Sequence, residues 1–370
     1  MTDTQTFTPD WVSAPGETIE DLLEERGWTQ AEFADRIGFT RKHVNDLIKG
    51  RAAITPDAAL RLEAVLGASA DFWLTREAHY REALERRRSR GALHSEAGWL
   101  RELPLAQMVK LGWVRRESNR GEQVAECLRF FGVASVESWR RQYEKPLATF
   151  RASKRFEKKV GAVAAWLRQG ELKATALRCE PFQKAGFKAV LDEARALTNE
   201  PNEQVFVPRL VEACAARGVA VVFVPAPTGC PASGATRWLT PEKAMLVLSL
   251  RHKTNDHLWF TFFHEAAHLL LHSKKMQFVD LDDQLDGELE QQADRFARDW
   301  LIPPIDARRL EILGRSGRVS KTVVARFAAE VGVAPGIVVG RMQKENWLPW
   351  THLNGLKVRY EWAEKAEQEK

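Results

Sequence analysis

Two histidines four residues apart, with a glutamate directly after the first, stand in His264-Glu265-Ala266-Ala267-His268, inside the run WFTFFHEAAHLLLH. On a helix, positions i and i+4 share a face, so both imidazoles can bind one zinc ion. Zinc held this way lowers the pKa of its water toward neutrality, and a carboxylate at the place of Glu265 can take that proton. This is chemistry for cutting a peptide bond. The residues around the motif are continuously apolar, which predicts a buried helix. Buried histidines and a buried glutamate need a partner; the plain alternative is a core helix whose histidines are only hydrogen-bonded.

A third ligand can come from downstream. In Glu290-Gln291-Gln292-Ala293-Asp294 the two acids are i,i+4 on one helical face. Glu290 can return as the third zinc ligand. Asp294 can accept the remaining N–H of a ligand histidine and so fix its tautomer. Glu288 is the other choice for third ligand, but it lacks an acid four residues on, and Glu290 is favoured. His272 continues the i+4 series from His268. It can serve as a fourth ligand or as a cap where a cation suits the helix dipole, and it is left outside the ligand set. Arg251, His252 and His257 precede the motif and can either stabilise an oxyanion or sit on the surface.

A different chemistry is written near the N-terminus. Thr18 to Glu25 reads as a short amphipathic helix ending at Gly27. Thr29-Gln30-Ala31-Glu32 is a capping box, and it opens a helix with Phe33, Ala34 and Ile37 inward that stops at Gly38. Thr40 caps a second short helix, Arg41 to Lys49, with Val44, Leu47 and Ile48 inward. Pro56 starts another, ending at Gly67. Two short capped helices joined by a glycine turn are the helix-turn-helix pattern. Arg41, Lys42 and Asn45 then lie on the solvent side and can reach base edges. Gln30, Thr40, Lys49 and Arg51 flank them, where phosphates can be held.

Between and beyond these features the elements are coarser. A helix from Ala70 to Arg90 ends in the charged run ERRRSR. Residues 95 to 200 look largely helical. Val219 to Val224, Ala235 to Leu239 and Ala244 to Leu250 read as strands, Asp280 to Asp286 as an acidic loop, and Glu288 to Trp300 as a helix. Val323 to Gln343 resembles another helix-turn-helix pair. The predicted domains are 1–90, helix-turn-helix; 91–200, a basic helical middle; 201–310, a zinc peptidase core; and 311–370, a helical extension. The fold class is multidomain, mostly α with a small α+β core.

Composition narrows the setting. The chain has 370 residues, too many for one small core. The first residues carry no basic start and no apolar run, so no signal peptide is expected. The longest apolar stretch is broken by His264, Glu265 and His268, which argues against a membrane span. Cys127, Cys179, Cys214 and Cys230 form no CxxC pair and read as reduced cytosolic thiols. Charge is uneven. Residues 140–190 hold 13 Lys/Arg against 4 Asp/Glu, whereas the first 90 hold 13 against 16. The basic middle, with Arg151, Lys154, Arg155, Lys158 and Lys159, can follow a phosphate backbone or be an ordinary solvated surface.

HEAAHLLLH followed by EQQADRFARDWLIPP resembles the ImmA/IrrE family of zinc metallopeptidases over about residues 205 to 305. Ala267 stands where that family usually has Gly, and Asp294 where it often has Asn; the ligands and Glu265 are unaffected. The resemblance implies a zincin-like domain, Zn²⁺, and a protease acting on a repressor or other regulator in a stress or mobile-element response. Residues 15 to 85, with GRAAITPDAALRL and FWL, are similar to HigA-type antitoxins of the Xre, lambda-repressor-like class. That likeness makes Arg41 to Lys49 the recognition helix and implies a homodimer on an operator. Together these features predict a cytoplasmic DNA-binding regulator with a zinc endopeptidase that cuts a partner regulator, a toxin or itself. A non-enzymatic antitoxin whose zinc domain senses or scaffolds is one alternative. A peptidase switched on by single-stranded nucleic acid along the basic middle is another.

Overall fold

The computed structural model describes residues 13–144, 160–274, 278–281 and 287–362. The basic cluster Arg151, Lys154, Arg155, Lys158 and Lys159 and the acidic residues 282–286 lie outside the described residues. The chain divides into two compact units. One runs up to Ala97 and takes in Ser118–Val124; the other holds Gly98–Glu117 and the chain from Ala125 onward.

The first unit is a bundle of five helices, α1 (Pro15–Glu25), α2 (Gln30–Ile37), α3 (Arg41–Ile48), α4 (Pro56–Leu66) and α5 (Ala70–Ser95). Its starts and stops are set locally. The side chains of Thr29, Thr40, Thr55 and Ser69 each accept a hydrogen bond from the backbone N–H three residues on, which satisfies a first-turn donor the helix leaves open. Gly38 closes α2 at φ 73°, a left-handed turn that suits glycine. The inner faces meet in one core containing Ile19, Phe33, Val44, Leu47, Leu62 and Trp73.

Two boundaries differ from expectation. α1 begins at Pro15 instead of Thr18, because proline at the first helical position gives up an N–H that has no partner there anyway. Glu17 also reaches back to the Ala14 N–H. α5 continues to Ser95, past Arg90. Its charged run holds the helix with the pairs Arg86–Glu82 and Arg88–Glu85, at helical spacing.

The second unit is built on a four-stranded sheet in the order β1-β3-β2-β4, where β1 is Val219–Phe223, β2 Ala232–Thr240, β3 Lys243–Leu248 and β4 Phe278–Leu281. β1 runs parallel to β3, while β2 is antiparallel to both of its neighbours. Three strands match the sequence in place. β2 starts earlier than Ala235, because Ala232, Ser233 and Gly234, weak strand formers alone, are paired on both sides by β3 and β4. β4 takes Asp280, which had read as loop.

Side chains alternate across the sheet. Met245 and Val247 of β3 lie under Gly170 of the helix Val160–Ala176. Leu246 and Leu248 join the opposite core, with Trp259, Phe262, Phe263 and Ala266 of the helix Asn255–Leu271. That second helix carries the HEAAH motif and is buried along nearly all its length. The C-terminal pair Lys321–Val331 and Pro335–Lys344, joined through Gly332 at φ 81°, packs into the same core through Val324, Phe327, Ile337 and Val338. Gly336 and Gly340 let this pair close on the motif helix: a Cβ at either would meet Asn255 or Asp256 at about 2.5 Å. A single core therefore spans Phe187 to Tyr360. No disulfide joins the four cysteines among the described residues. No single helix among them is long and apolar enough to cross a membrane.

Candidate metal centre and nucleic-acid interface

The motif helix is fastened at its N-terminal end by residues some hundred positions away. Its first N–H, on Asn255, donates to the Val358 carbonyl, and the Asn255 side chain accepts from the Val358 N–H. Lys357 pairs with Asp256 at 2.6 Å, both 8% exposed, and Lys357 also donates to Gln343. The Gln343 amide in turn donates to the His352 carbonyl and to Asn354. These bonds satisfy groups that burial would otherwise leave costly.

Two turns along, the histidines emerge on one face. Nε2 of His264 and Nε2 of His268 lie 3.0 Å apart. The Glu290 carboxylate, on the facing helix Glu288–Leu301, is 3.0 Å from His264 Nε2 and 3.5 Å from His268 Nε2. The other nitrogen of His264 meets Asp294 at 2.9 Å. Glu288 is exposed and faces Gln292 instead of the cluster. His264, His268 and Glu290 thus form a group that could hold a metal ion. Two imidazole nitrogens and a carboxylate oxygen turned toward one point fit a divalent cation better than they fit one another, since the unprotonated nitrogens offer only lone pairs there. The donor set suits zinc and its first-row neighbours, and three protein ligands leave a position open.

Electrostatics agree with this geometry. Burial pushes the Glu290 carboxyl upward, but the hydrogen bonds and charge of His264 and His268 outweigh it and bring it down to about 2. Burial, with His264 alongside, keeps His268 below its ordinary value. The neutral imidazole that burial favours at His268 is the form that binds a metal.

Glu265 is fully buried beside the ligands. β2 makes room for it at Gly234, where a Cβ would lie 2.5 Å from Thr261 and 2.8 Å from the Glu265 carboxylate. Nothing local in the sequence marks that glycine, because its constraint comes from a helix thirty residues on. His252 and His257 stack at 4.2 Å, and Arg251 donates to the Pro231 carbonyl. All three line a small hollow with Ser233 and Thr261, and none joins the ligand group.

In the first unit the polar candidates stay on the surface. Arg41 and Lys42 are exposed on the first turn of α3, and Asn45 is half-buried one turn on. Gln30 opens α2, and Lys49 and Arg51 follow α3; all three are exposed, with Arg51 held 3.3 Å from Asp46. Thr40 spends its hydroxyl on capping α3.

Residues 19–73 match the family model described as helix-turn-helix, and residues 215–342 match the IrrE N-terminal-like domain. The HTH-type transcriptional regulator YddM of Escherichia coli (strain K12) is 35% identical over 60 residues, 16% of this chain and 64% of that protein. The chain thus spans less than two thirds of that relative. An addiction module antidote protein of a HigA family from Coxiella burnetii is 26% identical over 23% of this chain and 94% of its own, with a TM-score of 0.21. The antitoxin GraA is 27% identical over 21% of this chain and 84% of its own, with a TM-score of 0.20.

Proposed function

We propose that this chain, in which a helix-turn-helix domain at the N-terminus precedes an IrrE-like peptidase domain, is a DNA-binding regulator that cuts a partner protein by metal-dependent hydrolysis. The observation that carries the reading is the convergence of His264, His268 and Glu290 within 3.5 Å beside the buried Glu265. A divalent cation, zinc on this donor set, supplies Lewis acidity toward water and the scissile carbonyl. His264, His268 and Glu290 hold it. Asp294 accepts from Nδ1 of His264 and so keeps the Nε2 lone pair on the cluster side. Glu265 takes the proton of the attacking water and returns it to the departing amine.

At the other end of the chain Arg41, Lys42 and Asn45 read base edges, and Gln30, Lys49 and Arg51 hold phosphates. Two copies set two recognition helices on half-sites one turn apart. The substrate is a partner regulator, a bound toxin or the chain itself, cut in response to stress or to a mobile element.

The deciding experiment compares new protein N-termini in cells expressing the wild type and Glu265→Gln, alongside repression of the chain's own promoter. Cuts that need Glu265 establish the peptidase and identify its substrate. Repression that persists with no Glu265-dependent cut leaves a regulator whose metal domain is a sensor or scaffold.

A further inference from the structure

One close contact at the site takes no part in holding an ion. Nδ1 of His268, the ring nitrogen turned away from the cluster, lies 2.9 Å from Nδ1 of His272. The two ring centroids are 5.0 Å apart. His272 therefore stands behind His268, outside the group formed by His264, His268 and Glu290.

Proton placement follows from this geometry. For Nε2 of His268 to offer its lone pair to a cation, the ring's one proton must sit on Nδ1. The atom facing that proton is Nδ1 of His272, which must accept. His272 then carries its own proton on Nε2. The proton of His268 thus points to Nδ1 of His272.

We infer that His272 is a positioning residue. Standing behind the ring, His272 fixes the tautomer and ring orientation of His268, as Asp294 does for His264, and so sets the affinity of the site for a divalent ion. The inference rests on the metal reading above.

The test is the zinc affinity of the full chain, measured by competition with a chromophoric chelator, with the cobalt(II) absorption spectrum as a second signal. His272→Phe keeps the ring and removes the acceptor. His272→Asn puts Oδ1 where Nδ1 was. The phenylalanine variant is expected to bind zinc roughly 10–100-fold more weakly, and the asparagine variant to recover most of that loss. Equal affinity in wild type and His272→Phe overturns the inference, as does an asparagine variant no better than phenylalanine. Should His272→Phe fail to fold, as judged by melting of the metal-free protein, the position of the His268 proton in the wild type decides. Imidazole nitrogen NMR of the zinc-loaded wild type must place the His268 proton on Nδ1; a proton on Nε2 overturns the inference as well. A wild type that takes up no divalent ion brings down the metal reading and this inference together, whereas equal binding by wild type and His272→Phe overturns this one alone.

Discussion

The two units use polar residues in opposite ways. In the helix-turn-helix unit Arg41, Lys42, Lys49 and Arg51 are exposed, and the core beneath them is almost wholly apolar. In the peptidase-like unit Asp256, His264, Glu265, His268 and Gln343 are buried, and polar groups there bond across segments distant in sequence. A surface reader can change its side chains without touching the fold. A buried site cannot, so function and stability are coupled there and separable in the other unit.

The sharpest contrast comes from Glu265, the proposed base. Glu265→Gln is expected to lower cleavage by about 10²–10⁴-fold while zinc binding holds, since Glu265 lies outside the ligand group; parallel rate and zinc-affinity measurements check this. Next in size is Lys357→Met, which strands the buried Asp256 carboxylate. A loss of about 3–5 kcal/mol is expected, read by urea unfolding of the second unit's transition. A loss below about 1 kcal/mol would mean that the pair behaves like a surface one. On the other unit, Arg41→Ala is expected to weaken operator binding by about 1–3 kcal/mol with no change in melting temperature. A matching fall in stability would erase the contrast between the units.

The smallest effect is a pH dependence. Burial holds His268 and His272 below the ordinary 6.5, so the unfolded chain takes up protons there before the folded one does. Stability of the metal-free protein is then unaffected above that value and falls as the pH drops below it. Glu290, lowered to about 2, works in a separate and more acid window. Its contribution is complete above the ordinary carboxylate value of 4.5 and is lost as the pH falls through about 2. Melting curves across this range check both, and His272→Asn should reduce the first.

What the sequence discloses is what depends on near neighbours. The caps at Thr29, Thr40 and Thr55 and the stop at Gly38 act over three or four residues, so α2 to α4 are legible almost to the residue. The spacings 264/268 and 290/294 also lie within single helices, and the structure brings those four residues together. Long-range pairing hides the rest. β4 is a strand only because β2 lies beside it. Gly234 matters only because Glu265 crosses over it. His272 is the C-cap of the motif helix, as its spacing allows, and only the structure shows its ring standing behind that of His268.

The tie between Val358 and Asn255 has a consequence in time. On a ribosome, residues 357–360 are made some ninety residues after the second motif histidine. The first unit closes through its own neighbouring helices and can fold while synthesis continues. The motif helix waits for the segment that fastens its first turn and for the lysine that neutralises Asp256. In a nascent chain the helix-turn-helix domain is thus complete before the histidines of the motif helix are held in place.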